Sequence, residues 1–131
     1  MAAFVMILGC SSRMPFDTAT VEGTVTYQGK PLTEGRVVFL PEKGTLGPAA
    51  VGVIGPGGSY RMKTVDHDGV ALGWHRVTVH SGSGVIRLED QHGEELRMPE
   101  AKIPAKYSFA EQSPLRFEVK EGRNEWPIVL Q

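Results

Sequence analysis

Residues 20–27, TVEGTVTY, decide the fold class of this chain. Their apolar side chains and Gly23 alternate with polar ones, and a period of two with β-branched residues predicts a strand with one buried face. The next four residues, QGKP at 28–31, predict a turn, because Gly29 is free to adopt a positive φ. The body of the chain therefore begins as a strand followed by a turn.

Six further segments carry strand patterns. They are residues 36–40, 49–54, 59–64, 74–80, 115–120 and 125–130. The 131 residues include 16 glycines and 9 prolines, which favours short strands joined by turns over long helices. Turns are predicted at 55–59, 66–69 and 121–124. We therefore predict an all-β fold, a seven-stranded antiparallel β-sandwich.

One long connection, residues 81–114, separates the fifth predicted strand from the sixth. Connections of this length are uncommon and are usually functional or disordered. Apolar residues in a loop either pin it to the core or present a binding patch, and we expect pinning here. The residues concerned are Met98, Pro99, Ile103, Pro104 and Tyr107.

Composition limits the classes of partner. The chain has 14 Lys and Arg against 15 Asp and Glu, and this net charge of -1 argues against a nucleic-acid partner. A hydrophobic share of 40% is enough for one core. The single cysteine excludes an intramolecular disulfide, so the domain has to be held by its core alone.

The N-terminal sequence predicts where in the cell the protein is located. Residues 1–9, MAAFVMILG, are too short to span a bilayer as a helix but match the apolar part of a secretory signal. ILGC at residues 7–10 resembles a bacterial lipobox, which implies lipidation of Cys10 and anchoring by its acyl chains. We expect a lipoprotein-type signal peptide at 1–9, a tether at 10–19 and the domain at 20–131.

Residues 1–3 lack the positive charge that opens a signal peptide, so either the true start lies upstream or the signal is weak. Cys10 also has an alternative interpretation. In that alternative, Cys10 is a free cysteine buried at the end of an apolar N-terminal strand. The order of apolar run, small residue, cysteine and polar linker favours the lipobox.

The domain resembles the carboxypeptidase regulatory-like family. Residues 21–32 resemble its opening "G-x-V" strand and turn, and residues 35–39 its "G-x-x-V-x-F" strand. Residues 57–60 resemble its "D-G-x-Y" hairpin, with Gly where Asp is common. Residues 73–79 resemble its "G-x-Y-x-V-x-V" strand, with a different placement of the aromatic residue. Three short segments, 103–107, 113–115 and 122–124, resemble a tail found in small planctomycete lipoproteins with this domain.

This resemblance implies a transthyretin-like, or prealbumin-type, Greek-key sandwich. The family is mostly non-catalytic, so the resemblance implies a fold and a class of protein and no ligand. Two enzymes on related sandwiches do not fit. The chain ends WPIVLQ and lacks the Tyr-Arg-Gly-Ser end of hydroxyisourate hydrolases. Its three tyrosines have structural contexts, which argues against the tyrosine and histidine iron site of intradiol dioxygenases.

The histidines do not predict a metal site. The four are His67, His75, His80 and His92. His75 and His80 are five residues apart on one strand, so their side chains are expected on opposite faces. The cluster Asp66-His67-Asp68 has carboxylates for a cation, but Asp and Gly are also ordinary turn residues. We predict no catalytic, cofactor-binding or metal-ligating residue and no cofactor.

Three functions remain in competition. The first is a non-catalytic cell-envelope lipoprotein, anchored on the periplasmic or outer-membrane face, whose sandwich is a structural or protein-interaction module. The second is a carbohydrate- or peptide-binding module that uses Trp74 or the 81–114 loop. Against it, Trp74 and Trp126 are more simply interpreted as core residues. The third, a hydrolase or metal enzyme, has the least support from the residues.

Overall fold

The computed structural model describes residues 16–81 and 103–131, and in these ranges the chain is all-β. A short 3₁₀ turn covers Ala105–Ser108. The strands form two sheets of six segments each. Numbered in chain order, they are β1 Thr18–Tyr27, β2 Lys30–Pro31, β3 Arg36–Pro41, β4 Ala50–Val53, β5 Ser59–Arg61, β6 Lys63–Thr64, β7 His67–Asp68, β8 Val70–Ala71, β9 Gly73–His80, β10 Arg116–Val119, β11 Arg123–Glu125 and β12 Ile128–Leu130.

The first sheet is built on β1, its longest strand. Along one side β1 pairs in parallel with β11 and then β12. Along the other it pairs antiparallel with β8, β5 and β2 in turn. Gly23 lies where β11 gives way to β12, and a Cβ at this position would collide with the backbone oxygen of Trp126. Glycine is therefore required for the close approach of the two backbones.

The second sheet has the strand order β10-β9-β3-β4-β6-β7 and is antiparallel throughout. Its register places Val38 of β3 between Thr78 of β9 and Val51 of β4. Because side chains alternate along a strand, residues of odd number on β3 and β9 point to the core. Phe39 and Val77 are fully buried examples.

Residues 59–64 connect the two sheets. β5 pairs with β1 in the first sheet, whereas β6 pairs with β4 in the second. Met62 lies between them, fully buried, and its amide donates to the carbonyl of Val21 at 2.9 Å. The segment that the sequence predicts as one strand therefore divides into two, because the chain changes sheets within it.

An aromatic group packs within the core. The rings of Phe117 and Trp126 stack with centroids 4.6 Å apart, and Phe39 lies 6.0 Å and 5.9 Å from them. The same core contains aliphatic side chains from both sheets. The largest fully buried ones are Val21, Val25, Val37, Met62, Val70, Val77, Val79, Val119, Ile128 and Leu130.

The structure confirms the all-β class and a two-sheet arrangement that fits a sandwich, but it differs from the sequence prediction in detail. All seven predicted strands contain strand residues, yet the described ranges hold twelve segments. The additional β2, β7, β8 and β11 are two or three residues long, too short to show a period in the sequence. The pairing of β1 with β11 and β12 is parallel, so only the second sheet is antiparallel throughout.

Element boundaries also move. β1 begins at Thr18, so it includes the last two residues of the predicted tether. The turn predicted at 66–69 contains β7, because the chain reverses at Val65 and Asp66 instead. The turn predicted at 121–124 contains the start of β11, which the parallel pairing with β1 extends to Arg123.

The described part of the long connection is pinned to the core, as expected. Ile103 and Tyr107 are buried in the core cluster. The hydroxyl of Tyr107 donates to the carbonyl of Gln131 at 3.2 Å, and Ser113 Oγ donates to the carbonyl of Val77 at 2.5 Å. The predicted pinning of Met98 and Pro99 lies outside the described residues.

Candidate functional site

Trp74 is an exposed aromatic residue on the outer face of the second sheet. Its position on β9 has the opposite parity to the core residues Val77 and Val79, and 44% of its surface is exposed. The interpretation of Trp74 as a core residue is therefore wrong. For Trp126 the same interpretation is confirmed, since its ring stacks on Phe117.

Arg116 packs over the indole ring of Trp74. Its guanidinium carbon lies 4.8 Å from the ring centroid, within the range of a cation–π interaction. The β9–β10 register explains the contact: Trp74 pairs with Glu118, which places Arg116 diagonally beside it on the same face. Arg116 therefore covers part of the ring and leaves the rest open to solvent.

Glu42 holds Arg116 in place. Arg116 Nε donates to Glu42 Oε1 and Nη2 donates to Oε2, each at 2.7 Å. This bidentate geometry fixes the plane of the guanidinium. The bond from Arg116 lowers the pKa of Glu42, and the same bond raises the pKa of Arg116. Both groups therefore stay charged across the physiological pH range.

The backbone of Trp74 is held as firmly as its ring. The carbonyl of Trp74 accepts the amide of Glu42 at 3.0 Å and the hydroxyl of Thr45 at 2.9 Å. These bonds join the start of β9 to the β3–β4 loop, residues 42–49. We call Trp74, Arg116 and Glu42 the Trp74 platform. It is an ordered group whose aromatic member faces solvent.

A groove of about 300 Å³ adjoins the platform through Glu42. Its lining combines β3, β9 and the segment after the 3₁₀ turn, with residues Leu40, Pro41, Glu42, Arg76, Ala110 and Glu111. Arg76 Nη1 donates to the carbonyl of Ser113 at 3.0 Å, so the segment after the 3₁₀ turn is held against β9. The groove thus presents carboxylates, a guanidinium and aliphatic surface together.

A second depression, of about 440 Å³, lies around the Gly23 approach on the first sheet. The hydroxyl of Tyr60 donates to the carbonyl of Trp126 at 2.6 Å, and burial raises the pKa of this tyrosine. Glu22, at the rim, is bound by Arg123. The hydroxyl of Tyr60 and the carboxylate of Glu22 are therefore engaged in holding the strands together.

The platform suits binding more than chemistry. Both carboxylate oxygens of Glu42 accept bonds from Arg116, so this carboxylate is not a free general base. Trp and Arg are the residue types that most often dominate protein interfaces. Because the side chains are already ordered, little conformational entropy remains to be lost when a partner binds.

The histidines lie apart, as the spacing predicts. His75 is fully buried beside Phe39, at 5.6 Å between ring centroids, whereas His80 is on the outer face with Nε2 3.3 Å from Thr78 Oγ1. His75 Nδ1 donates to the carbonyl of Gly73 at 3.0 Å, and its Nε2 has no partner among the described residues. Burial lowers the pKa of both histidines.

The described ranges contain no group of three or more His, Cys, Asp or Glu residues able to hold a metal ion. His67 and Asp68 form β7, and Asp66 belongs to the turn before it. Cys10 and His92 lie outside the described residues. In residues 16–81 and 103–131, no helix has the length and apolar character to cross a membrane.

Sequence reasoning did not predict Arg116 and Glu42 as residues of a functional site. They are 74 residues apart, and only the order of β10, β9 and β3 in the sheet brings them together. The sequence did carry a signal for the exposure of Trp74. Val77 and Val79 show which side of β9 is buried, and Trp74 lies on the other side.

No family model, curated protein or solved structure matches this chain.

Proposed function

We propose that this chain is a non-catalytic cell-envelope lipoprotein, tethered to a membrane through Cys10, whose sandwich binds a partner protein. The Trp74 platform carries the binding part of the proposal: Trp74, 44% exposed, is held by Arg116 and Glu42 at the edge of a groove. An aromatic residue that the fold leaves in water but keeps ordered is typical of an interaction surface.

The same face of the sheet has room for a protein partner. Val51 and Val53 on β4 are exposed and point outward, like Trp74. Arg36 and Arg76 lie between these valines and the platform on β3 and β9. Apolar side chains with interspersed arginine are the composition found in interface cores.

The proposed type of sandwich is the transthyretin-like one, with a Greek-key order of strands. It is supported by the two-sheet architecture and by the crossing of residues 59–64 from one sheet to the other. The steric need for Gly23 supports it as well, because this glycine belongs to the "G-x-V" pattern on which the resemblance rests.

The binding proposal is tested by affinity capture after chemical crosslinking in the native host, with the full chain. Trp74→Ala and Arg116→Ala are expected to lose the crosslinked partner that the unchanged chain retains. Val129→Ala is the matched control, since Val129 is exposed on the other sheet. An identical set of crosslinked proteins for all four chains would contradict the proposal.

A carbohydrate is the second candidate partner, and the open part of the Trp74 ring favours it. Indole faces stack on the apolar side of sugar rings, and charged side chains beside them bind hydroxyl groups. A glycan array and a peptidoglycan pull-down distinguish the two partners. If the unchanged chain binds a glycan in these assays and Trp74→Ala abolishes that binding, the partner is a glycan and not a protein.

The tether is tested separately from the binding surface. Radiolabelled palmitate is expected to label the unchanged chain in its native host, and Cys10→Ser is expected to lose the label and leave the membrane fraction. An unlabelled chain, together with a Cys10→Ser variant that stays in the membrane fraction, would contradict the proposed anchor.

A further inference from the structure

The described chain enters the sandwich at one end, beside an exposed loop. The carbonyl of Asp17 accepts the amide of Leu72 at 3.0 Å, which fixes the chain just before β1. The ring of Phe16 lies against Gly47 in the β3–β4 loop, so closely that a Cβ at Gly47 would be 2.9 Å from it. Leu46, the neighbour of Gly47, is 70% exposed.

The β6–β7 turn reaches the same end. Val51 of β4 pairs with Lys63 of β6 in antiparallel register. Because β4 begins at Ala50, Val65 lies beyond the start of β4, level with the end of the β3–β4 loop. Val65 is 72% exposed. We call Phe16, residues 43–49 and the turn of Val65 and Asp66 the tether end.

Val65 is locally unfavourable in two ways. Its φ is 55°, a left-handed conformation that a β-branched residue rarely adopts. Glycine is the residue preferred at the first position of such a two-residue hairpin turn. Its apolar side chain also faces water. Neither the backbone nor the core accounts for a valine here, and local strain of this kind often accompanies a contact outside the fold.

The proposed lipid on Cys10 suggests what Val65 contacts, because it would hold this end of the domain close to a membrane. Six residue steps join Cys10 to Phe16, and an extended chain spans at most ~3.6 Å per residue, so Phe16 is held within about 22 Å of the lipidated cysteine. Two aliphatic side chains bind a bilayer weakly when free in solution, but tethering supplies a high effective concentration.

We propose that the tether end rests on the lipid surface, with Leu46 and Val65 inserted into the headgroup region. This inference relies on the proposed anchor at Cys10. The exposed acidic side chains here are Asp17, Asp66 and Asp68, and Lys43, Lys63 and Arg61 balance them, with Asp68 3.9 Å from Arg61. Binding to an anionic lipid surface needs a cluster of basic side chains, and the described residues of this end do not form one. The partner is therefore a zwitterionic or uncharged lipid surface.

The experiment uses the single cysteine of the chain. With Cys10 lipidated, a cysteine introduced elsewhere is a unique thiol for a fluorescent label sensitive to its environment. Leu46→Cys and Val65→Cys place the label at the tether end. Val53→Cys and Val129→Cys are matched controls, since these valines are 76% and 61% exposed and lie away from that end.

Each labelled lipoprotein is reconstituted in phosphatidylcholine vesicles that contain a lipid with a nitroxide at headgroup depth. Emission is expected to be lost at positions 46 and 65 and kept at 53 and 129. Equal quenching at all four positions, or none, in vesicle-bound protein would overturn the contact and leave the anchor intact. Protein that stays in the supernatant would overturn the anchor and the contact with it.

Val65→Gly separates a membrane role from a structural one. Glycine relieves the positive φ, so the melting temperature is expected to stay the same or rise. Quenching of the label at position 46 is nevertheless expected to weaken, because one of the two inserted side chains is gone. A lower melting temperature with unchanged quenching would show that Val65 serves the fold alone.

Discussion

The two tryptophans of this chain occupy opposite environments. Trp126 is partly buried against the core, where it stacks on Phe117 and contacts Phe39, whereas Trp74 meets a guanidinium on the outer face of the second sheet. Burial makes the first ring part of the stability of the fold. Exposure leaves the second ring available, with Arg116 and Glu42 keeping it ordered. Variants in the two regions should therefore separate stability from binding.

The largest expected loss of stability lies in the aromatic group of the core. Phe39 is fully buried between the sheets, and Phe39→Ala is expected to cost about 3–5 kcal/mol, enough to unfold a small domain. Phe117→Ala should cost less, because Phe117 is only partly buried. Urea denaturation followed by circular dichroism measures both. Equal, small losses for the two variants would mean that this group does not support the fold.

The Gly23 approach should give the next effect. A Cβ at position 23 would meet the backbone oxygen of Trp126, which cannot move without shifting the β11–β12 connection. Gly23→Ala is therefore expected to cost about 1–3 kcal/mol, in the range of overpacked cores. Gly57→Ala is the matched control, since its Cβ would meet no atom within 4 Å. Equal denaturation midpoints for the two variants would contradict this account.

The aromatic core should also be sensitive to acid through His75. Burial lowers the pKa of His75 below the ordinary histidine value of 6.5, so in acid the unfolded chain binds a proton more readily than the folded one. The stability that this histidine contributes is present above about pH 6.5 and is lost as the pH falls below it.

Thermal melts between pH 7 and pH 5 measure this slope, and His75→Leu is expected to make it shallower. His67→Gln, on the exposed β6–β7 hairpin, is the control for the loss of a histidine. His80 adds a slope of the same sign, because burial lowers its pKa as well. A slope that His75→Leu leaves unchanged would contradict the assignment.

The smallest change in stability is expected on the platform. Trp74→Ala removes one cation–π contact at an exposed site, worth about 0.5–1 kcal/mol. Glu42→Gln weakens a solvent-screened ion pair and is expected to change the melting temperature little. Differential scanning calorimetry measures both. A loss near that of Phe39→Ala would show that the platform is part of the core.

Local patterns explain which parts of this structure are predictable. The period of two in β1 and β9 arises within each strand, so the strands are visible in the sequence. β7, β8 and β11 are defined by their partners, and a segment of two or three residues has no period of its own. The parallel pairing of β1 with β11 joins residues about a hundred positions apart, and nothing local marks it.

The candidate site divides in the same way. The sequence of β9 predicts that Trp74 is exposed, since Val77 and Val79 face the core and side chains alternate along a strand. The partners of Trp74 come from β10 and the β3–β4 loop, and their meeting depends on the order of strands in the sheet. Sequence patterns therefore indicate which side chain is presented, whereas only the fold shows what holds it.

Photo-crosslinking in the native host tests the central claim most directly. Benzoylphenylalanine placed at position 118 of the full chain, beside Trp74 on the same face, leaves the platform intact and reports what touches it. Position 129, on the other sheet, is the control. A discrete crosslinked species from position 118, absent from position 129, is the expected result. Equal crosslinking at the two positions, or none from position 118, would contradict the assignment of the Trp74 platform as the binding surface.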